Sequence, residues 1–113
     1  MSVYTPDRWV MIRIGSDIYK VFACWYGGYA RGDSWKLNSG VTKATKEGFV
    51  YSFEGHSGSV YECHDNTYGT NMYGGSVLSD MIESAKANGI NVEILPEDTD
   101  FLNINYGETH AGT

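Results

Sequence analysis

Residues 8–26 read RWVMIRIGSDIYKVFACWY. Apolar side chains alternate along the first part of this segment, which is the period of a half-buried strand. Gly15-Ser16-Asp17 then supplies turn residues, and Ile18–Tyr26 has the composition of a second strand. The segment therefore predicts a β-hairpin near the start of the chain.

Strand-like runs recur along the rest of the chain, separated by turns rich in Gly, Ser and Asn. The clearest alternation lies in Phe49–Glu54, where aromatic side chains occupy one face. The turn Gly55-His56-Ser57-Gly58 separates this run from the next one. The further strands that we expect are residues 35–37, 41–45, 49–54, 59–64 and 90–95.

One helix is predicted after the polar loop of residues 65–75. Ser76 can cap it, apolar side chains in Val77–Ala85 share one face, and Gly89 suits the position after its end. The expected fold class is therefore α+β. It consists of a meandering antiparallel β-sheet of about six to seven strands, with one helix from the C-terminal half of the chain packed on it.

A chain of 113 residues has the usual size of one domain. We expect residues 96–113 to form a tail that docks on the domain itself or on a neighbouring subunit. The sequence begins without the basic and apolar regions of a secretory signal, and no apolar run approaches the ~20 residues of a membrane span. We therefore expect a cytosolic protein with no membrane contact, in which Cys24 and Cys63 are buried thiols.

The net charge of −6 argues against nonspecific binding to DNA or RNA, because neutralising phosphates requires an excess of Lys and Arg. The charge is unevenly distributed, with +4 in residues 1–46 and −10 in residues 47–113. Three interpretations are open. The first half could hold an anion site, subunits could contact head to tail, or folding could interleave the two halves.

Metal and catalytic sites are not indicated by the spacing of the residues that could form them. His56, His64 and His110, with the two cysteines, show neither C-x₂-C nor H-x₃₋₅-H spacing. Residues 54–64 contain Glu, His, Ser and Cys side chains, but no G-x-S-x-G signature frames them. We therefore expect a binding protein that is not an enzyme and uses no metal or cofactor.

The loops are rich in aromatic residues and glycine. Trp25–Tyr29 (WYGGY) ends one strand, residues 33–40 (DSWKLNSG) follow, and residues 57–59 and 66–74 add similar side chains. Aromatic rings hold a base by stacking. Hydroxyls, cations and backbone NH groups that glycine leaves accessible hold a phosphate by hydrogen bonds. The alternative interpretation is that the tryptophans belong to the core and that Tyr and Gly merely serve strands and turns.

The segments Trp25–Tyr29, Gly32–Gly40 and Ser57–His64 resemble those of small proteins encoded by tailed bacteriophages. The similarity extends from Asp7 to about Leu95, and the run at residues 32–40, GDSWKLNSG, is its most distinctive part. The characterised type that the chain most resembles is the anti-CBASS viral sponge. Sponges are oligomeric phage proteins that sequester cyclic dinucleotides, the alarm signals of bacterial defence, without degrading them. The resemblance implies immune evasion in the host cytoplasm by a homo-oligomer whose subunits share each nucleotide pocket.

Candidate ligand-binding residues follow from the chemistry of their side chains. Rings would stack on bases, cations would meet phosphate, and hydroxyl or amide groups would donate hydrogen bonds. Two other functions are open: an acidic inhibitor or nucleic-acid mimic that targets a host protein through Glu97, Asp98 and Asp100, and a minor phage structural protein. The expected ligand-binding residues are Tyr26, Tyr29, Arg31, Trp35, Lys36, Asn38, Ser57, Ser59, Tyr68, Thr70 and Tyr73.

Overall fold

The computed structural model describes residues 2–28 and 32–106. These ranges contain eight strands and one helix. The elements are β1 (Val3–Tyr4), β2 (Arg8–Ile14), β3 (Ile18–Trp25), β4 (Ser34–Leu37), β5 (Val41–Glu47), β6 (Val50–Gly55), β7 (Val60–His64), α1 (Met72–Ala87) and β8 (Val92–Ile94).

The strands form two four-stranded sheets, the first in the order β1-β7-β6-β5 and the second in the order β4-β3-β2-β8. Neighbouring strands are antiparallel, except that β1 runs parallel to β7. The α+β class, with one helix packed on a sheet, is confirmed. The strands were expected in one meandering sheet, and the turn Asn38-Ser39-Gly40 instead carries the chain from the second sheet into the first. Local alternation cannot indicate which sheet a strand joins.

The predicted hairpin is formed by β2 and β3, with Ile14 opposite Ile18 across the turn. Both faces of the second sheet are covered. Trp9 and Met11 pack in the core between the sheets, whereas Val10 and Ile12 pack in a smaller cluster beneath α1. Burial on both faces explains why residues 9–12 are all apolar.

Trp9 occupies the centre of the core between the sheets. Its ring centroid lies 4.7 Å from that of Tyr68, 5.3 Å from that of Phe53 and 5.4 Å from that of Phe101. The indole nitrogen donates a hydrogen bond of 2.7 Å to the carbonyl of His64, so the single polar atom of this buried ring is satisfied.

Helix α1 begins earlier than the sequence predicts. Asn71 caps it by accepting a hydrogen bond of 2.7 Å from the backbone nitrogen of Gly74, so the expectation of a cap at Ser76 is wrong. The glycines of the first turn look like loop residues, which conceals the helix start. Gly74 is needed for packing, because a β-carbon there would lie 2.4 Å from the Cys24 sulfur. Gly89, with φ +76°, follows the helix as predicted.

The chain after β8 turns back over the core between the sheets, where Phe101 and Tyr106 are buried. Residues 107–113 lie outside the described part of the chain, so docking of the tail on a neighbouring subunit stays a prediction. Cys24 and Cys63 are buried free thiols, as expected. Within residues 2–28 and 32–106, we find no helix that is both long and apolar enough to cross a membrane.

The two halves of opposite charge are interleaved. Strands β1 and β2 from the basic half pair with β7 and β8 from the acidic half, and β5 pairs with β6. Most of the described basic side chains of residues 1–46 contact other groups of the chain. Arg8 donates to the Tyr68 carbonyl, Arg13 pairs with Glu93, Lys36 lies over the Tyr4 ring, and Lys46 pairs with Asp65.

Candidate functional site

A cavity of about 300 Å³ opens between the two sheets, where three turns meet. The β2–β3 turn, the β4–β5 loop and the β6–β7 turn each contribute to it, and the chain after β8 closes one side. The residues that line the cavity are Asp17, Ile18, Tyr19, Gly40, Val41, His56 and Tyr106.

Two of these turns contact each other through His56 and Gly40. The backbone nitrogen of His56 donates a hydrogen bond of 3.0 Å to the Gly40 carbonyl. A β-carbon on Gly40 would lie 2.9 Å from the imidazole Cδ2 atom, closer than real contacts allow. Gly40 also has φ +123°, a conformation that L side chains rarely adopt. Glycine therefore allows the imidazole to lie against the loop at the cavity.

A row of three serine hydroxyls connects the same two turns. The Ser39 hydroxyl accepts from the Ser57 backbone nitrogen at 3.0 Å and donates to the Ser57 hydroxyl at 3.2 Å. The Ser57 hydroxyl in turn donates to Ser59 at 3.4 Å. Ser57 is exposed, so the row offers hydrogen-bonding groups to a ligand beside the cavity.

Asn38 fixes the shape of the β4–β5 loop from inside. The residue is 3% exposed, and its side-chain oxygen accepts from the backbone nitrogens of Val21 at 2.9 Å and Gly40 at 3.3 Å. Its amide nitrogen is buried with no hydrogen-bond partner among the described residues. A β-carbon on Gly55 would lie 3.1 Å from that nitrogen, so the loop packs tightly against the β6–β7 turn.

One side of the cavity is aromatic and apolar. The rings of Tyr19 and Tyr106 meet edge to face, with centroids 5.4 Å apart. The Tyr106 hydroxyl donates to the Phe101 carbonyl, and burial raises the pKa of this phenol well above its usual range. Ile18 adds aliphatic surface and is 48% exposed, the buried Val41 also belongs to the lining, and Asp17 is an exposed residue at the rim. Such a lining suits a flat ring that carries a few polar groups.

The structure brings three of the expected ligand-binding residues, Asn38, Ser57 and Ser59, together beside this cavity. Tyr26 and Tyr73 lie near the other end of β3, where the Asn71 side chain donates to the Trp25 carbonyl at 3.1 Å. From Ile18 to Tyr26 the strand spans roughly 25 Å at its usual rise per residue. The expected residues are therefore divided between two places, and Tyr29 and Arg31 lie outside the described part of the chain.

The other expected residues contact the chain itself. The Trp35 ring stacks on Phe22 with centroids 5.4 Å apart, and the Lys36 nitrogen lies 5.1 Å from the Tyr4 ring centroid. The Tyr68 hydroxyl donates to the Leu95 carbonyl at 2.6 Å and accepts from the Met11 nitrogen at 3.0 Å. Thr70 is half-buried, with its hydroxyl beside Gly75 in the first turn of α1.

None of the seven residues that line the cavity was among the expected ligand-binding residues. Asp17 and His56 lie in turns that the sequence predicts. Ligands often bind where such turns meet, and this was the signal that could have indicated the two residues. Tyr106 follows β8 in the irregular C-terminal region, and no local pattern indicates that it returns to the cavity. The seven residues are Asp17, Ile18, Tyr19, Gly40, Val41, His56 and Tyr106.

A second, more open depression of about 540 Å³ lies on the acidic part of the surface. Asp65, Glu97 and Asp98 surround it, and Lys46 pairs with Asp65 at 3.0 Å. Across the part of the chain that the structure describes, no group of three or more His, Cys, Asp and Glu side chains could hold a metal ion. No protein-family model, curated protein or solved structure matches this chain.

Proposed function

We propose that this chain is a phage immune-evasion protein that binds a cyclic nucleotide second messenger and sequesters it without degrading it. The observation that supports the proposal is the cavity of about 300 Å³, which combines an aromatic and apolar side with serine hydroxyls at its edge. Stacking surface and hydrogen-bonding groups together are what a nucleotide requires. The resemblance to viral sponges supports the cyclic nucleotide as the ligand.

The size of the cavity supports sharing of the ligand between subunits. Small-molecule sites usually measure ~300–1,000 Å³, so this cavity lies at the lower limit. It offers room for about one nucleotide unit. The second unit of a cyclic dinucleotide would then contact another copy of the chain, which agrees with a homo-oligomer.

The serine hydroxyls support binding rather than hydrolysis. A catalytic serine needs a base that accepts its proton. Among the described residues the hydroxyls of Ser39, Ser57 and Ser59 form hydrogen bonds with one another, and none is hydrogen-bonded to the His56 imidazole. Sequestration needs no such base, because the ligand leaves the site unchanged.

Calorimetric titration with a panel of cyclic di- and trinucleotides tests the proposal. We expect saturable binding of at least one of them and recovery of the intact nucleotide after the protein is denatured. No binding across the panel, or recovery of a cleaved nucleotide, would contradict the proposal. Sedimentation of the protein with and without the ligand would establish whether subunits share it.

Two tryptophan variants locate the binding. Ile18 lines the cavity and is 48% exposed, so Ile18→Trp obstructs the cavity without entering the core. Ile94 lies on the edge strand β8 and is 44% exposed, so Ile94→Trp is the matched control. We expect Ile18→Trp to weaken binding at least about tenfold, or ~1.4 kcal/mol, and Ile94→Trp to leave it unchanged.

The acidic depression supports a second candidate function. Three carboxylates around one open surface could attract a basic host protein in the manner of a nucleic-acid mimic. Charge reversal at Glu97, Asp98 and Asp100 would then abolish capture of a host DNA-binding protein. The same charge reversal should leave cyclic nucleotide binding intact, because these residues do not line the 300 Å³ cavity.

A further inference from the structure

The described residues that line the cavity include none of the cationic side chains that most often hold a phosphate. No described Lys or Arg side chain lines the cavity, and the Asp17 carboxylate at its rim would repel an anion. Backbone NH groups are the other common phosphate donors. Three of those at these turns are already used, because Gly40 donates to Asn38, Ser57 donates to Ser39, and His56 donates to the Gly40 carbonyl.

The same cavity is suited to an uncharged flat ring. The half-buried Tyr19, whose ring is held edge to face by that of Tyr106, provides aromatic surface, and Ile18, which is 48% exposed, provides aliphatic surface on which a base can pack. Asp17 adds a charged acceptor at the rim. The two oxygens of a carboxylate together accept up to about four hydrogen bonds, so such a group can bind a ligand and keep a contact within the chain. Its preferred partners are NH groups, and such charge-assisted hydrogen bonds are stronger than neutral ones.

We infer that the cavity receives the base of the nucleotide, with Asp17 accepting hydrogen bonds from a guanine edge, and that the phosphates remain outside the cavity. Guanine presents a ring NH and an amino group side by side, which matches the two oxygens of one carboxylate. Adenine offers an amino group beside a ring acceptor, and uracil offers a single NH between two carbonyls. The inference rests on the proposed function and specifies its ligand as a guanine-containing cyclic nucleotide.

Asp17→Asn tests the inference because it keeps the size of the side chain and removes its negative charge. Titrations would compare cyclic dinucleotides that contain two guanines, two adenines or two uracils. We expect the diguanine ligand to bind most tightly to the parent protein and to lose about ten- to hundredfold in affinity in the variant. Asp80→Asn, an exposed change on α1, is the matched control and should leave the affinity unchanged.

The sign of the effect distinguishes a base in the cavity from a phosphate. If a phosphate occupied the cavity, removal of the Asp17 charge would strengthen binding, and this result would overturn the inference. Unchanged affinity in Asp17→Asn would also overturn it. Guanosine, which has no phosphate, should compete for the site, whereas inorganic phosphate should not. Absence of binding by every cyclic nucleotide would instead contradict the proposed function itself.

Discussion

The imidazole of His56 lies against the backbone of Gly40, and a hydrogen bond of 3.0 Å joins the His56 nitrogen to the Gly40 carbonyl. A β-carbon on Gly40 would come within 2.9 Å of the ring. This contact joins the β4–β5 loop, which leads into the first sheet, to the β6–β7 turn of the same sheet. The position of His56 at the cavity therefore depends on the absence of a side chain at residue 40.

Gly40→Ala is expected to displace the His56 ring and to weaken ligand binding. Gly48→Ala is the matched control, because Gly48 has φ +62° but no atom within 4 Å of an added β-carbon. A positive φ is unfavourable for alanine, so each variant should have an unfolding free energy lower by about 1–2 kcal/mol. Urea denaturation and titration would check both effects. Equal loss of affinity in the two variants would contradict the role of the His56–Gly40 contact.

Tyr68→Phe is expected to lower the unfolding free energy by about 1–3 kcal/mol. The change removes the acceptor of the buried Met11 nitrogen and the donor to the Leu95 carbonyl, so both backbone groups lose a partner. Tyr26→Phe is the control, since Tyr26 is 57% exposed and its loss should stay within about 0.5 kcal/mol. Equal stability of the two variants in urea would disprove this account of Tyr68.

Asn71→Ala is expected to cost about 2 kcal/mol of stability, because it removes the cap of α1 and the hydrogen bond to the Trp25 carbonyl. Ser76 lies on the exposed face of the same helix. Ser76→Ala should therefore change stability by less than about 0.5 kcal/mol. Thermal and urea unfolding would compare them. A larger loss of stability in Ser76→Ala than in Asn71→Ala would indicate that the helix begins at Ser76.

Stability should fall as the pH rises from about 10 to 12. Burial raises the pKa of Tyr68 to about 12, whereas an unfolded tyrosine titrates near 10. The unfolded chain therefore loses its proton first, and this favours unfolding over that interval. Urea midpoints measured between pH 8 and pH 11.5 should decrease more steeply in the parent protein than in Tyr68→Phe. The same pH dependence in both proteins would contradict the buried position of the phenol.

The fold class could be predicted because its signals are local. Alternation in Arg8–Ile14, turn residues at 15–17 and the apolar face of α1 each act within a few residues of sequence. The division into two sheets could not be predicted, since it depends on where distant strands pair. The helix start was hidden because Gly74 is unfavourable in an isolated helix, and its benefit arises only from close packing on Cys24.

The candidate site was predictable only in part, for the same reason. Asn38, Ser57 and Ser59 occur in polar turns, and turns at strand ends are where ligands usually bind. The aromatic residues of the loops gave an ambiguous signal. Tyr68 has the same local surroundings whether its ring faces solvent or, as here, packs on Trp9. Its burial is determined by distant residues, and such contacts leave no mark in the neighbouring sequence.

The location of the ligand is tested most directly by amide chemical shifts. Isotope-labelled protein would be titrated with the cyclic dinucleotide that binds most tightly in the panel. The largest changes should occur at residues 17–19, 40–41 and 56, which surround the cavity. Changes confined to Tyr26 and Met72–Tyr73, near the other end of β3, would contradict the assignment of the site.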